Sequence, residues 1–216
     1  MPERKAPGRP KSDEKSRQIF EAAVALFTSQ GYENTRVDEV ARLAGVSKQT
    51  VYSHFDGKDH LFQSAMTYLC EQMGMPEDLE RDVRPAEEVL TEIGGHFLRL
   101  LLSEASKRLY RLILSNVDRH PDVAELFYAT GPRTFIERLG AYLSTCAARG
   151  ELALEEPKLA AAQFFAMMRG ELHMRSVLGV EPLPTEQEID HYIQACTRLF
   201  VAGYRPGRRH ADREIR

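Results

Sequence analysis

The chain has 216 residues, 43% hydrophobic and 28% charged, enough for one large domain or two modest ones that each bury a core. No run approaches the roughly 18 apolar residues of a spanning helix, and Met1-Pro2-Glu3-Arg4-Lys5 lacks the apolar stretch of a signal peptide, so a cytoplasmic protein is expected. A formal net charge of −3 argues against a nucleic-acid binder in bulk, yet residues 1–17 and the tail 205–216 are each net +3, and local patches set phosphate attraction over a Debye length of about 8 Å.

In chain order, Ile19, Phe20, Ala23, Leu26 and Phe27 form one apolar stripe, which predicts an amphipathic helix from Ser12 that Gly31 stops. Thr35 and Asp38 read as a capping box for a second helix, Arg36 to Ala44, ended by Gly45. Ser47 caps a third, Lys48 to His54, and a fourth runs from Lys58 to about Met73. Beyond Pro76 the helices lengthen. Pro85, Pro121 and Pro157 mark their starts, because a first-turn proline costs no hydrogen bond, and Gly131-Pro132 splits the stretch from 121 to 149. Thr185-Glu186-Gln187-Glu188 is a capping box opening a helix to about Gly203. No alternating strand pattern and no repeat is visible, so the chain reads as all-α: a small N-terminal three-helix unit and a larger C-terminal helical bundle.

Cys70, Cys146 and Cys196 are too scattered for a disulfide framework or a zinc cluster and read as small buried hydrophobes. The sequence holds no phosphate-binding glycine loop, no His-Glu-x-x-His and no nucleophile elbow, and Glu171-Leu172-His173 has no third partner. Neither an enzyme nor a cofactor or metal site is expected.

Residues 37–55 carry the steric logic of a helix-turn-helix. Two short helices crossing through a tight turn need a small residue at the crossing (Ala41) and a glycine able to turn left-handed (Gly45). They also need apolar locks, here Val40, Val46 and Val51. The second helix would then expose Lys48, Gln49, Thr50, Tyr52 and Ser53, which can bond base edges or phosphates.

Residues 8–66 resemble the DNA-binding domain of TetR/AcrR-family transcriptional regulators. The resemblance is carried by Gly8-Arg9-Pro10-Lys11, by Gly31-Tyr32-Glu33-Asn34-Thr35, by Val46 through Phe55 and by Lys58-Asp59-His60-Leu61-Phe62. It implies a flexible basic arm over 1–11, a helix-turn-helix domain over 12–57, a connecting helix over 58–74, a ligand-binding and dimerisation domain over 75–204, and a basic tail over 205–216. Lys48, Gln49 and Thr50 would lie at the major groove, with Tyr52, His54 and Lys58 along phosphates. Thr35 and Arg36 would meet the DNA backbone at a helix N-terminus, while Arg9 and Lys11 would reach the minor groove from the arm. Gly57, where relatives often carry a serine cap, departs from the pattern.

The resemblance further implies a homodimer on double-stranded palindromic operator DNA, a repressor released by a small hydrophobic effector of unspecified identity. Its four-helix interface would use Leu159, Phe165, Met168, Leu172, Ile189, Ile193, Cys196 and Phe200, although sequence does not separate a dimer stripe from a core stripe. Effector contacts are expected from Phe97, Leu101, Phe127, Tyr128, Phe135, Phe164, Met167, His173 and Met174. The alternative is an architectural, chromosome-associated DNA-binding protein of the same fold without an effector.

Overall fold

A computed structural model describes residues 11–71, 75–76, 78–119 and 121–207, and these are helical with no strand among them. The helices are α1 (Lys11–Asn34), α2 (Val37–Leu43), α3 (Lys48–His54), α4 (Lys58–Glu71), α5 (Ala86–Leu102), α6 (Glu104–Asn116), α7 (Pro121–Thr130), α8 (Pro132–Ala148), α9 (Pro157–Leu178) and α10 (Glu186–Gly203), with a 3-10 turn at Leu79–Arg81. The chain divides into two compact units that do not follow chain order. A first, recognition unit joins residues up to 70 with 108–127; a second, regulatory unit joins 71–107 with residues from 128 onward.

In the recognition unit, Ile19, Ala23 and Phe27 of α1 meet Val40 and Ala41 of α2, Val51 of α3 and Leu61, Phe62 and Ala65 of α4 in one buried cluster. Leu109 and Val123, from α6 and α7, close it. Phe62 stands edge-on to Phe27 at 5.0 Å and to Tyr32 at 5.3 Å. Each fully buried side chain of this size stabilises by about 1.5–3 kcal/mol. Gly31, with φ +88°, breaks α1 where a side chain would also press on Leu112. Thr35 does not cap α2. Its hydroxyl donates back to the Gly31 carbonyl at 2.6 Å, and Arg36 stands at the N-cap without a side-chain bond. That carbonyl accepts the Thr35 amide, at 3.2 Å, as well as the hydroxyl, so Thr35 closes the end of α1 instead of opening α2.

The regulatory unit packs α8 against α9, and α5 against α9 and α10. Its centre is a chain of rings: Phe97 lies 4.5 Å from Phe165 and 5.9 Å from Phe135, and Phe164 lies 5.7 Å from Phe165 and 5.2 Å from Phe200. Thr185 and Glu188 form the expected capping box on α10, with Glu188 N donating to Thr185 Oγ1 at 3.2 Å and Thr185 N to Glu188 Oε2 at 2.8 Å. Pro121, Pro132 and Pro157 stand at the first positions of their helices as expected, whereas Pro85 precedes α5 at its N-cap. Two features were not foreseen. Ser103 separates α5 from α6 in an extended conformation, and α9 is kinked at Gly170. There the Tyr192 hydroxyl donates to the Met167 carbonyl at 2.8 Å, so close to Gly170 that a Cβ would collide with it. Among the cysteines, Cys146 is buried and Cys196 half-buried, both free; the side chain of Cys70 lies outside the described residues.

Candidate nucleic-acid interface and regulatory core

Recognition begins with the rigidity of α3. Val51 is buried, and the Val46 amide donates to the Ala41 carbonyl at 3.0 Å across a turn that Gly45 makes at φ +67°. Ser47 caps α3 by accepting from the Thr50 amide at 3.1 Å. With its inner face fixed, α3 turns Lys48, Gln49, Tyr52, Ser53 and His54 to the surface.

These exposed side chains differ in how far they are already committed. Gln49 makes no side-chain hydrogen bond among the described residues and is left with a donor and an acceptor on one amide, the pairing that reads adenine edges. Tyr52 is 49% exposed despite its ring. Lys48 is tied to Asp38 of α2 at 2.8 Å and lies 5.8 Å from the Tyr52 ring centre. The bond to Asp38 holds the Lys48 ammonium pKa above its ordinary value, against an opposing pull from Arg36. Arg36, just before α2, is exposed as well. Thr50 is half-buried and its hydroxyl is paired with Ser47 Oγ at 2.8 Å.

Two expected DNA contacts are corrected. Thr35 is buried, with hydroxyl and amide both bonded inside the unit, so neither is available to a phosphate. Lys58 reaches back to the Glu33 carbonyl at 2.9 Å and lies 4.4 Å from the Tyr32 ring centre. Burial lowers its pKa, and the side chain bolts the start of α4 to the end of α1 instead of standing free. Arg9 and the side chain of Lys11 lie outside the described residues, as does most of the basic tail.

The expected dimer stripe is also corrected. Phe165, Met168, Leu172, Ile189, Ile193 and Phe200 are buried within the single chain, where they form its own core. Leu159 is exposed and Cys196 half-buried. The outward sides of α9 and α10 instead carry Leu159, Met174, Leu178 and Leu199, the last 67% exposed.

The effector set divides the same way. Phe97, Phe135 and Phe164 join the ring cluster, His173 is buried, and Leu101 and Met167 are half-buried. Met174 (65% exposed) and Tyr128 (50%) lie on the surface, and Phe127 packs on the recognition unit's core, so these three are removed from the inner lining. Burial, with Arg169 adding to it, lowers the His173 pKa to about 4, so its imidazole is neutral at physiological pH.

Comparison with known proteins decides what such a pairing of units is. Residues 19–65 match the family described as bacterial regulatory proteins, tetR family, and residues 88–206 match the C-terminal domain of AefR-like transcriptional repressors. The chain belongs to the TetR family. It is a DNA-binding transcriptional regulator of that family, with the helix-turn-helix in its recognition unit. A flavonoid-responsive regulator, FrrA, shares 33% identity over 90% of this chain and 99% of its own, with a TM-score of 0.65. A TetR-family regulator from Mesorhizobium loti shares 28% over 91% and 99%, with a TM-score of 0.72. Among curated relatives, the uncharacterized regulator YhgD of Bacillus subtilis is 40% identical over 31% of this chain, a match spanning only 35% of YhgD. BetI of Proteus mirabilis matches over 84% of this chain and 93% of its own at 23% identity. Among the described residues no helix is long and apolar enough to cross a membrane, and no cluster of His, Cys, Asp and Glu is suited to a metal ion.

Proposed function

We propose that this TetR-family regulator acts in the cytoplasm as a homodimeric, non-enzymatic repressor that binds a palindromic operator and leaves it when a small, largely apolar effector enters the regulatory unit. The observation that carries the reading is the outward row of α3: Gln49, Tyr52 and His54 lie exposed on a helix whose inner face and cap are fully engaged. Side chains held on a rigid helix and not committed to internal bonds are what direct readout requires. Arg36 and Lys48 add the positive charge that positions such a helix on phosphate.

A two-fold dimer matches half-sites about one helical turn apart or a multiple of it. The exposed apolar side chains Leu159, Met174 and Leu178 of α9 and Leu199 of α10 support pairing through these two helices, since apolar surface left on a helix favours association. Effector binding is supported by the ring cluster of the regulatory unit and by the flavonoid response carried in the name of a relative that shares 33% identity. Sequencing of DNA selected from a random pool by the purified protein tests the reading. A two-fold palindromic consensus is expected. Enrichment without a palindrome, collapsing by about 200 mM salt, would instead mean electrostatic, architectural binding.

A further inference from the structure

The inward side of α9 changes character along its length. Phe164, Phe165, Met168 and Leu172 are buried there, and within the next turn so are His173 and Ser176. Beside this polar end lies Lys107 of α6, only 4% exposed, with its Nζ 3.4 Å from Ser176 Oγ and 2.6 Å from Glu104 Oε1. An ammonium has three donors. Here one is held by a carboxylate and one makes a long bond to a hydroxyl, while the third has no partner among the described residues.

Stability alone does not account for this arrangement. A Glu and a Lys one turn apart on a helix can pair in solvent without either being desolvated. In this case only the cation is buried, while the Glu104 side chain is 63% exposed. Burying a charge with an incomplete shell is costly, so a lysine kept inside a regulatory unit calls for a partner that completes the shell. Ser176 supplies a neutral hydrogen-bonding group at the same spot, and His173, held neutral, adds no second positive charge. Toward the start of α9, before the kink at Gly170, Phe165 stands among Phe97 and Phe135.

We propose that the effector is an organic acid: its carboxylate binds Lys107 and Ser176, and its apolar body lies along the inner side of α9 toward the ring cluster of Phe97, Phe135 and Phe165. This rests on the effector reading above and names its chemical class. The ligand's carboxylate takes the place that Glu104, itself 63% exposed, now holds at Lys107.

The test uses the full-length protein with octanoate, dodecanoate below its micellar range and 4-phenylbutanoate, each beside its primary amide. Binding is read by calorimetry and thermal shift, and DNA release by a gel assay on the selected operator. At least one acid should bind ten-fold or more tightly than its amide and release DNA. Lys107→Met should erase that preference. Glu104→Gln, which removes the competing carboxylate, should tighten the acid several-fold, an outcome a purely structural ion pair does not give. Failure of every acid to bind the wild type and the Glu104→Gln protein overturns the proposal. Release of operator by a neutral compound while acids stay inert overturns the acid class alone and leaves the effector reading standing.

Discussion

The two units of this regulator keep their functional residues in opposite places. In the recognition unit the proposed contacts lie on the side of α3 turned away from the core, so core and contact residues would be different residues: Val51 packs, while Gln49 and Tyr52 face out. In the regulatory unit they overlap. Phe97, Phe135 and Phe164 hold the bundle together and are also the groups an apolar effector would touch. Where the two roles separate, substitution separates them too. Where they coincide, a single change disturbs both.

The largest contrast follows directly. Phe164→Ala removes a fully buried ring that touches Phe165 and Phe200, and should cost about 3–5 kcal/mol of unfolding free energy in urea titration. Gln49→Ala should stay within about 0.5 kcal/mol of wild type, because an exposed side chain without internal bonds has little to lose. Base preference in a selected-site assay should nevertheless change at the Gln49 position. Comparable stability losses from the two variants would erase the distinction.

His173 extends the contrast to pH. Its folded pKa of about 4 lies below the ordinary 6.5, so the unfolded chain takes up a proton first as pH falls. Stability from the neutral imidazole is complete above pH 6.5, falls between 6.5 and 4, and is gone below; its full size is about 3 kcal/mol at most. Denaturation curves at pH 7 and pH 4.5 should therefore converge in His173→Gln relative to wild type. A wild-type slope left unchanged by that variant would remove His173 from the account.

Tyr52→Ala should weaken operator binding by about ten-fold or more while helicity and dimerisation hold, since a half-exposed ring contributes little to folding and a well-placed contact is typically worth about 1–3 kcal/mol. Unchanged affinity in a gel-shift titration would displace α3 from the groove as drawn.

Legibility follows the same division. The helix-turn-helix was readable because Ala41, Gly45, Val46 and Val51 are each required by local geometry, so the residues name the bend. Thr35 misled because its side chain turns back to the Gly31 carbonyl, which its own amide also bonds, and so finishes α1 instead of capping α2. Lys58 misled because its true partners, the Glu33 carbonyl and the Tyr32 ring, stand a helix-turn-helix away in sequence. In α9 and α10 a period of 3.6 residues identifies one apolar side but not what covers it. Phe165, Ile193 and Phe200 proved to be covered by their own chain. The kink at Gly170 depends on Tyr192, a helix later, and no local pattern announces it. The break at Ser103 did leave a trace, for its side chain accepts from the Ser106 amide at 3.3 Å as helix caps do.

The smallest expected effect is also the finest test of how far contact and structure separate on α3. Lys48 is the one cation of that helix with an internal partner, Asp38 at 2.8 Å, and both side chains are largely exposed. An exposed pair adds little to folding, so Asp38→Asn should leave the denaturation midpoint nearly unchanged. On DNA the two possible roles of Asp38 diverge. If it merely competes with phosphate for the ammonium, its removal frees Lys48 and deletes a negative charge facing the duplex. Affinity should then rise by about two- to five-fold on every sequence, with a steeper salt dependence. If instead Asp38 aims Lys48 at a base, affinity should fall on the selected operator alone and the consensus should blur at one position. The first outcome is expected, because Lys48 also lies against the Tyr52 ring, so Asp38 is not its sole guide.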